Sequence, residues 1–518
     1  MQTTLAPFKT EPGLDFTLPA EQQAFQAALE SVRGKLGVTY PLWIDGKPVV
    51  HAETFSSVNP AHPDEIIAKH VVTRPEDVEA AIAAAEKTFP LWSATSIQER
   101  LTYMHRAVAE LRRRRYELDA LMVLELGKTW DEADGEVAEA IDLFEWYGRQ
   151  SLKFEQPQKL TPSVGEDFSF FYIPLGVGAV IAPFNFPLAL TIGMAWGAIV
   201  TGNTVVIKPT DSAATVVAWL FEIFNAIGLP AGVANLVTGP GIASGQQLVA
   251  HPRIRFIAFT GSKRAGVNIY ESGAKLQPGQ KWFKRIQMEL GGKNAIIVDE
   301  TADLDAAADG LIASAFGFQG QRCSSAERAV VVESVYDALL EKVVARAKKL
   351  KVADPVNADA QLGPLIDEIA QKKFFSYVEL GKKEGKLVLG GGKPFETGYF
   401  VEPTIFSEVA PNARITQEEV FGPFLAFIRA RDFDEALAIA NATEYGLTGS
   451  VYSRDRSRLE RARREFHVGN LYFNRKSTGA LMGVAPFGGF NMSGTDTKAG
   501  GPDYLQFFLQ GKTVGETL

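Results

Sequence analysis

Residues 179–209 read AVIAPFNFPLALTIGMAWGAIVTGNTVVIKP, and the reading of this stretch decides the fold. It lies inside a longer segment, Phe168 to Ile207, in which no side chain carries a charge. About 20 consecutive apolar residues suffice to cross a bilayer, so a membrane span has to be weighed first. Pro174, Pro183, Asn185 and Pro187 break the segment, while Thr191, Thr201 and Asn203 dilute the longest apolar part that is left. A lipid-facing helix tolerates such interruptions poorly. The better reading is a buried strand, a loop, a helix and a second strand inside a large α/β core.

The same alternation continues outward. The short β-branched runs AVIAP (179–183), VVIKP (205–209), NLVTG (235–239) and IAFTG (257–261) alternate with helical patterns such as 212–226 and 242–250. Repeated βα units predict a parallel sheet with helices on both faces. Residues 76–152 read as long polar helices. A second alternation follows, with a valine run near 331, a helix near 335–350, FLAFIR at 424–429, a helix at 432–441 and LYFN at 471–474. Two α/β domains are the economical count. The run Arg112 to Arg115 is flanked by Glu110, Glu117 and Asp119, which can pair with it one helical turn away. It is expected to be a solvated helix face.

Composition narrows the function classes. The 518 residues correspond to roughly three to four domain-sized units of about 150 residues, so a lone small binding module is ruled out. With 46% hydrophobic and 22% charged residues there is material for large cores and no case for global disorder. Lys+Arg 53 against Asp+Glu 61 leaves a net charge of −8, which argues against nucleic acid or an anionic membrane as partner. Cys323 is the single cysteine, so neither an intrachain disulfide nor a multi-cysteine metal site can form. His51, His62, His70, His105, His251 and His467 show no short metal-ligand spacing. No structural metal is expected. Residues 1–20 lack a basic start followed by an apolar run, so no secretory signal is expected, and a cytoplasmic location is.

Four places carry chemistry. Cys323 stands in QGQRCSS, a polar, close-approach setting unlike that of an inert core thiol; once ionised, a thiol is a strong nucleophile. Glu289, in MELGGKN, is either a strand-end carboxylate before a glycine turn or, in a site that excludes water, a proton acceptor. Asn185, in PFNFP, is an amide among aromatic and proline side chains; it either stabilises its loop or points an N–H at a developing oxyanion. For a dinucleotide, GPGIASG (239–245) only approximates the glycine-rich fingerprint, whereas FTGS (259–262), with Gly261 and Ser262, follows a strand and opens a helix whose free N–H groups suit a pyrophosphate. Lys208 and Asp211 could address ribose hydroxyls.

Taken in chain order, PFNFP, VIKP, FTGS, MELGGKN, FGFQGQRCSS and EEVFGP resemble the motif set of NAD(P)-dependent aldehyde dehydrogenases, and the resemblance extends to PFGGFNMSGT at 486–495. It implies an α/β fold with a Rossmann-like NAD-binding domain (1–150 and 171–286, including a helical N-terminal part), a catalytic domain (287–484) and a small β oligomerisation flap (151–170 and 485–518). It implies Cys323 as nucleophile, Asn185 and the Cys323 N–H as oxyanion donors, Glu289 as activator of the hydrolytic water, and Glu419 and Phe421 as supports of the nicotinamide ribose and ring. NAD is the expected cofactor, a small molecule the substrate, and a homodimer or higher homo-oligomer the expected assembly. YPLWIDGK at 40–47 and the segment 466–490 resemble the branch that acts on L-glutamate γ-semialdehyde, which implies substrate contacts from Phe186, Ser324, Gly479, Ala480 and Phe487. Ala485 stands where that branch often has Gln, and Asn294-Ala295 where many members have Asn-Pro. Another semialdehyde or aliphatic aldehyde as substrate, a non-catalytic member of the fold, and a thiol hydrolase using His467 are the alternatives.

Overall fold

The uncharged segment forms what its interruptions predict. In a computed structural model that describes residues 6–495 and 497–518, Val177–Ala182 is a strand, Pro187–Val200 a helix and Thr204–Pro209 the next strand. Pro187 occupies the first turn of the helix, where its missing N–H costs nothing. The two strands pair in parallel from Val177–Thr204 to Ala182–Pro209 and are almost entirely buried.

They belong to a seven-stranded sheet whose spatial order is Arg285–Glu289, Phe256–Thr260, Val177–Ala182, Thr204–Pro209, Ala234–Leu236, Leu42–Ile44 and Lys47–Val49. The first five are parallel, and the N-terminal hairpin closes the edge antiparallel. Chain direction through the sheet reverses between Val177–Ala182 and Phe256–Thr260, the place where an open α/β sheet leaves a crevice at its strand ends. A second seven-stranded sheet runs Lys386–Leu389, Thr404–Ser407, Phe424–Ala430, Ala326–Val332, Asn294–Val298, Thr448–Tyr452 and Asn470–Phe473, parallel except for its first edge. Outside both sheets, Glu166–Pro174 pairs antiparallel with Leu509–Thr517. The carboxyl ends of the first sheet, at Ala182, Thr260 and Glu289, lie next to loops that feed the amino ends of the second sheet, at Asn294, Ala326 and Phe424.

Residues 76–152 resolve into four helices, Pro75–Ala94, Ile97–Arg113, Arg115–Leu126 and Trp130–Ser151. Ser96 caps the second by accepting from Glu99 N–H at 3.2 Å, and Gly127 ends the third in the left-handed region. The arginine run straddles a break at Arg114, and this corrects the expectation of one solvated face. Arg112 and Arg113 are exposed and pair with Glu11 and Glu110. The chain turns at the break, so Arg114 lies over the Trp219 ring at 4.8 Å and Arg115 is buried, donating to Asp134 at 2.6 Å. Among the described residues no helix is long and apolar enough to cross a membrane.

Gly178 shows how tightly the first sheet is packed. A Cβ there would lie 2.0 Å from the ring of Phe256, which is itself fully buried. Gly178→Ala is therefore expected to destabilise the fold by about 1–3 kcal/mol, read as a lowered melting temperature with unchanged secondary structure.

Candidate active site

The seam between the two sheets is a cleft of about 620 Å3. The first sheet contributes Asn185, Lys208, Gly261 and Ser262 to its lining, and the second contributes Cys323, Glu419 and Phe421. Residues far apart in sequence thus meet along one surface.

Cys323 follows a backbone reversal in which Phe318 and Gln319 both take positive φ, 49° and 53°. The loop is then clamped from behind: the Asn294 amide donates to the carbonyls of Cys323 (2.7 Å) and Ser325 (2.8 Å) and accepts from Thr448 N–H (2.9 Å). In the sequence Asn294 is only one member of a turn; its part in holding the cysteine loop depends on a contact 29 residues along the chain. Asn185 is buried, and its amide donates to Gln321 O at 3.0 Å. The Gln321 side chain accepts from Ile366 N–H at 3.0 Å, so this glutamine links three walls of the cleft, a role its sequence position did not reveal.

Glu289 ends the strand Arg285–Glu289, where its carbonyl accepts from Gly261 N–H at 3.0 Å. Its carboxylate reaches the thiol electrostatically. Desolvation pushes Cys323 up to about 12, with the charges of Glu289 and Glu419 acting in the same direction and the Ser324 N–H against them. Glu419 accepts from Gly292 N–H at 2.9 Å, and burial raises its carboxyl to about 7. Its oxygens occupy the space a side chain at Gly291 would need, 2.3 Å from a Cβ there. The Phe421 and Phe184 rings meet edge to face at 5.9 Å.

On the first sheet, Ser262 caps the helix Lys263–Ala274 through Ala265 N–H (3.3 Å). Lys208 is buried with its ammonium 3.1 Å from Pro209 O and 3.8 Å from Asp211 Oδ1. Burial lowers the lysine pKa and raises that of Asp211. GPGIASG opens the helix Gly241–Ala250, and Gly245 within it lines the cleft.

The residues expected at the substrate end are Phe186, Ser324, Gly479, Ala480 and Phe487, none of which is among the residues lining the cleft. Ser324 is buried and its carbonyl accepts from Ser477 Oγ and Thr448 Oγ1, each at 3.3 Å. Gly479 takes φ 99°, open to glycine and strained for other residues, and the preceding Thr478 carbonyl is held by Arg475 at 3.1 Å. Phe186 lies under the Lys128 ammonium (4.0 Å) and edge-on to Phe318 (6.0 Å). Phe487 is fixed by paired backbone bonds with Ala499, and a Cβ on the next residue, Gly488, would sit 3.0 Å from Glu289 Oε1. Ala480 is partly buried against the core. His467 is exposed and packs on Phe490 at 5.1 Å, with no contact to Cys323 among the described residues. No cluster of metal-ligating side chains is found among the described residues.

A thiol and an amide donor lining one two-sheet cleft, with a carboxylate whose charge acts on the thiol, define a class of enzyme, and the chain belongs to the Aldehyde dehydrogenase family, whose sequence pattern matches residues 44–514. Its fold is the aldehyde dehydrogenase fold. It is 54% identical over 511 residues to 1-pyrroline-5-carboxylate dehydrogenase of Geobacillus thermodenitrificans (strain NG80-2), covering 98% of this chain and 99% of that one. The crystal structure of 1-pyrroline-5-carboxylate dehydrogenase from Thermus with bound NAD superimposes with a TM-score of 0.98 at 50% identity over the whole of both chains. Proline utilization A from Bdellovibrio bacteriovorus matches at 41% identity and a TM-score of 0.97, over 99% of this chain and 53% of that one.

The raised thiol makes a direct test. Iodoacetamide should label one position, Cys323, at a rate that keeps climbing with pH beyond the usual thiol range near 8.5. Glu289→Gln removes a negative charge that raises the thiol pKa, so labelling near pH 8 is expected to speed up. Slower labelling in that variant would show the carboxylate acting as the thiol's base instead.

Proposed function

We propose that the chain oxidises L-glutamate γ-semialdehyde, the open form of Δ1-pyrroline-5-carboxylate, to L-glutamate with NAD, in proline catabolism. The observation that carries this reading is the lining of one cleft by Cys323 and Asn185, with the Glu289 charge acting on the thiol, in a chain half identical along its whole length to relatives named for that substrate.

The donor set suits a dinucleotide. The start of the helix Lys263–Ala274 offers free N–H groups to a pyrophosphate, Lys208 offers a cation, Glu419 an acceptor for ribose hydroxyls, and Ile181, Val249, Phe259 and Ile269 an apolar wall for a base. When bound, NAD supplies the acceptor for the hydride. The remaining steps belong to the protein. Cys323 loses its thiol proton to solvent water and Sγ adds to the aldehyde carbon, and the resulting oxyanion is held by an Asn185 amide N–H and the Cys323 N–H, where one donor contributes on the order of 3–4 kcal/mol. After hydride loss the carbon is a thioester; Glu289 takes a proton from water, the water oxygen adds to that carbon, and glutamate leaves as the Cys323 sulfur departs. At the far end of the substrate, Ser324 and the backbone N–H groups of Gly479 and Ala480 receive the α-carboxylate, while Phe186 and Phe487 enclose the methylene chain.

In this reading residues 1–150 and 171–286 bind the cofactor, 287–484 carry the catalytic loop, and 151–170 with 485–518 serve oligomerisation. The strand pair Glu166–Pro174 and Leu509–Thr517, which stands outside both sheets, suits a homo-oligomer contact. A cytoplasmic location accords with the single free thiol.

NADH formation from Δ1-pyrroline-5-carboxylate, lost in Cys323→Ala and reduced to a single burst in Glu289→Gln, is the expected result. Ser324→Ala and Gly479→Val should weaken use of this substrate far more than use of propanal, because a site built around polar anchors rejects molecules that lack their partner. Equal losses on both would reassign these residues to general shape, and preference for succinate semialdehyde would reassign the substrate.

Asp211 tests cofactor choice. A carboxylate there repels the 2′-phosphate of NADP by about 1 kcal/mol or more at short range. NAD is expected to be preferred, and Asp211→Ala to narrow the preference; an unchanged ratio of kcat/KM values would remove Asp211 from the ribose site.

A further inference from the structure

Behind the loop that carries Glu419 and Phe421 lies a buried ion pair that the reaction as derived does not use. Lys293 follows the Gly291-Gly292 turn, and Glu327 stands shortly after Cys323. Both side chains are almost wholly buried, and the Lys293 ammonium donates to Glu327 Oε2. The same carboxylate accepts Val420 N–H (3.0 Å to Oε1, 2.9 Å to Oε2) and Phe421 N–H (2.8 Å to Oε1). Taking two successive N–H groups dictates the path of the backbone. Phe421 is held there at φ 60°, a conformation bulky residues rarely adopt without outside support.

The pair is itself anchored. The Lys293 carbonyl accepts from Arg328 Nε at 2.8 Å, and the other arms of that buried arginine donate to Ile439 O and Ala440 O at 2.9 Å. On the cleft side Glu419 rests on Gly292 N–H, one residue before Lys293. Backbone and side-chain bonds therefore run from the helix Phe433–Asn441 through Arg328, Lys293 and Glu327 to the two cofactor-facing side chains.

We propose that Glu327, neutralised by Lys293, is a positioning residue that shapes Val420–Phe421 and so sets the affinity for the dinucleotide without touching it. This rests on the reading of Glu419 and Phe421 as cofactor-facing. Loss of Glu327 alone strands the buried Val420 N–H, the half-buried Phe421 N–H and an ammonium; loss of both charges removes the ammonium's cost but leaves the loop N–H groups without their acceptor. Stability and cofactor affinity can thus be separated.

The test is a fluorescence titration of the full-length protein with NADH, alongside thermal melting and cofactor-free hydrolysis of p-nitrophenyl acetate. Glu327→Ala is expected to weaken NADH binding about tenfold or more, and Glu327→Gln, which keeps an acceptor oxygen, by no more than about threefold. Lys293→Met with Glu327→Leu should melt closer to the wild type than Glu327→Ala yet bind NADH as weakly. Ester hydrolysis should stay within about twofold throughout. Recovery of NADH affinity together with stability in the double variant, or ester hydrolysis falling in parallel with affinity, overturns the proposal. Glu419→Ala separates the two levels: unchanged NADH affinity in that variant defeats the cofactor-facing reading, whereas a loss there with none in the Glu327 variants defeats this inference alone.

Discussion

Backbone N–H groups at the start of a helix or in an irregular loop have no partner of their own, and when buried they must find one or cost the fold heavily. Around the cleft the partners are glutamates, three of them buried. Glu125 accepts Thr215 and Val216 N–H, both at 3.0 Å, at the head of the helix after Lys208. Glu136 accepts Leu188 and Ala189 N–H at 2.7 and 3.1 Å, at the head of the helix after Asn185. Glu327 and Glu419 do the same for the loops at Val420–Phe421 and Gly292. These four segments are thus each held by a carboxylate reaching them from another part of the chain, whereas the Cys323 loop is held by the Asn294 amide.

A buried carboxylate is costly unless its charge is met or removed. Glu136 and Glu327 are met by the ammonium groups of Lys128 and Lys293. Glu125 has no such ion pair among the described contacts, and burial carries it up to about 7, as it does Glu419. For these two the folded state holds protons more tightly than the unfolded chain. Their contribution is therefore most favourable below the ordinary carboxylate pKa and declines as pH rises to about 7. At Glu419 this places a titration inside the cleft at neutral pH, where an acceptor and a donor form of the same group are close in energy.

What was legible in the sequence follows from this division. The strands and helices of the core were visible because apolar runs and their breaks report burial directly, whereas 76–152 read only as long polar helices and its division at Ser96 and Gly127 came from the structure. Cys323, Glu289 and Asn185 stood out because each is a reactive or polar residue among glycines or aromatics. Glu125, Glu136, Glu327 and Lys128 did not, since a charged residue in a helix or strand pattern reads as solvated surface until its partner in space is known. The arginine run failed for the same reason: half of it meets solvent as expected, and half turns inward to Trp219 and Asp134.

The electrostatics of the thiol tie these parts together. Desolvation holds the Cys323 thiol protonated, and the charges of Glu289 and Glu419 add to it in the same direction. A cation bound in this cleft would offset the negative field of these carboxylates, and at short range in a partly desolvated cleft such an offset is on the order of a few kcal/mol, enough to move a thiol pKa by one or more units. Glu419 thus both accepts a backbone N–H and adds to the field that opposes ionisation of the sulfur, so the loop that carries Glu419 and Phe421 couples the two.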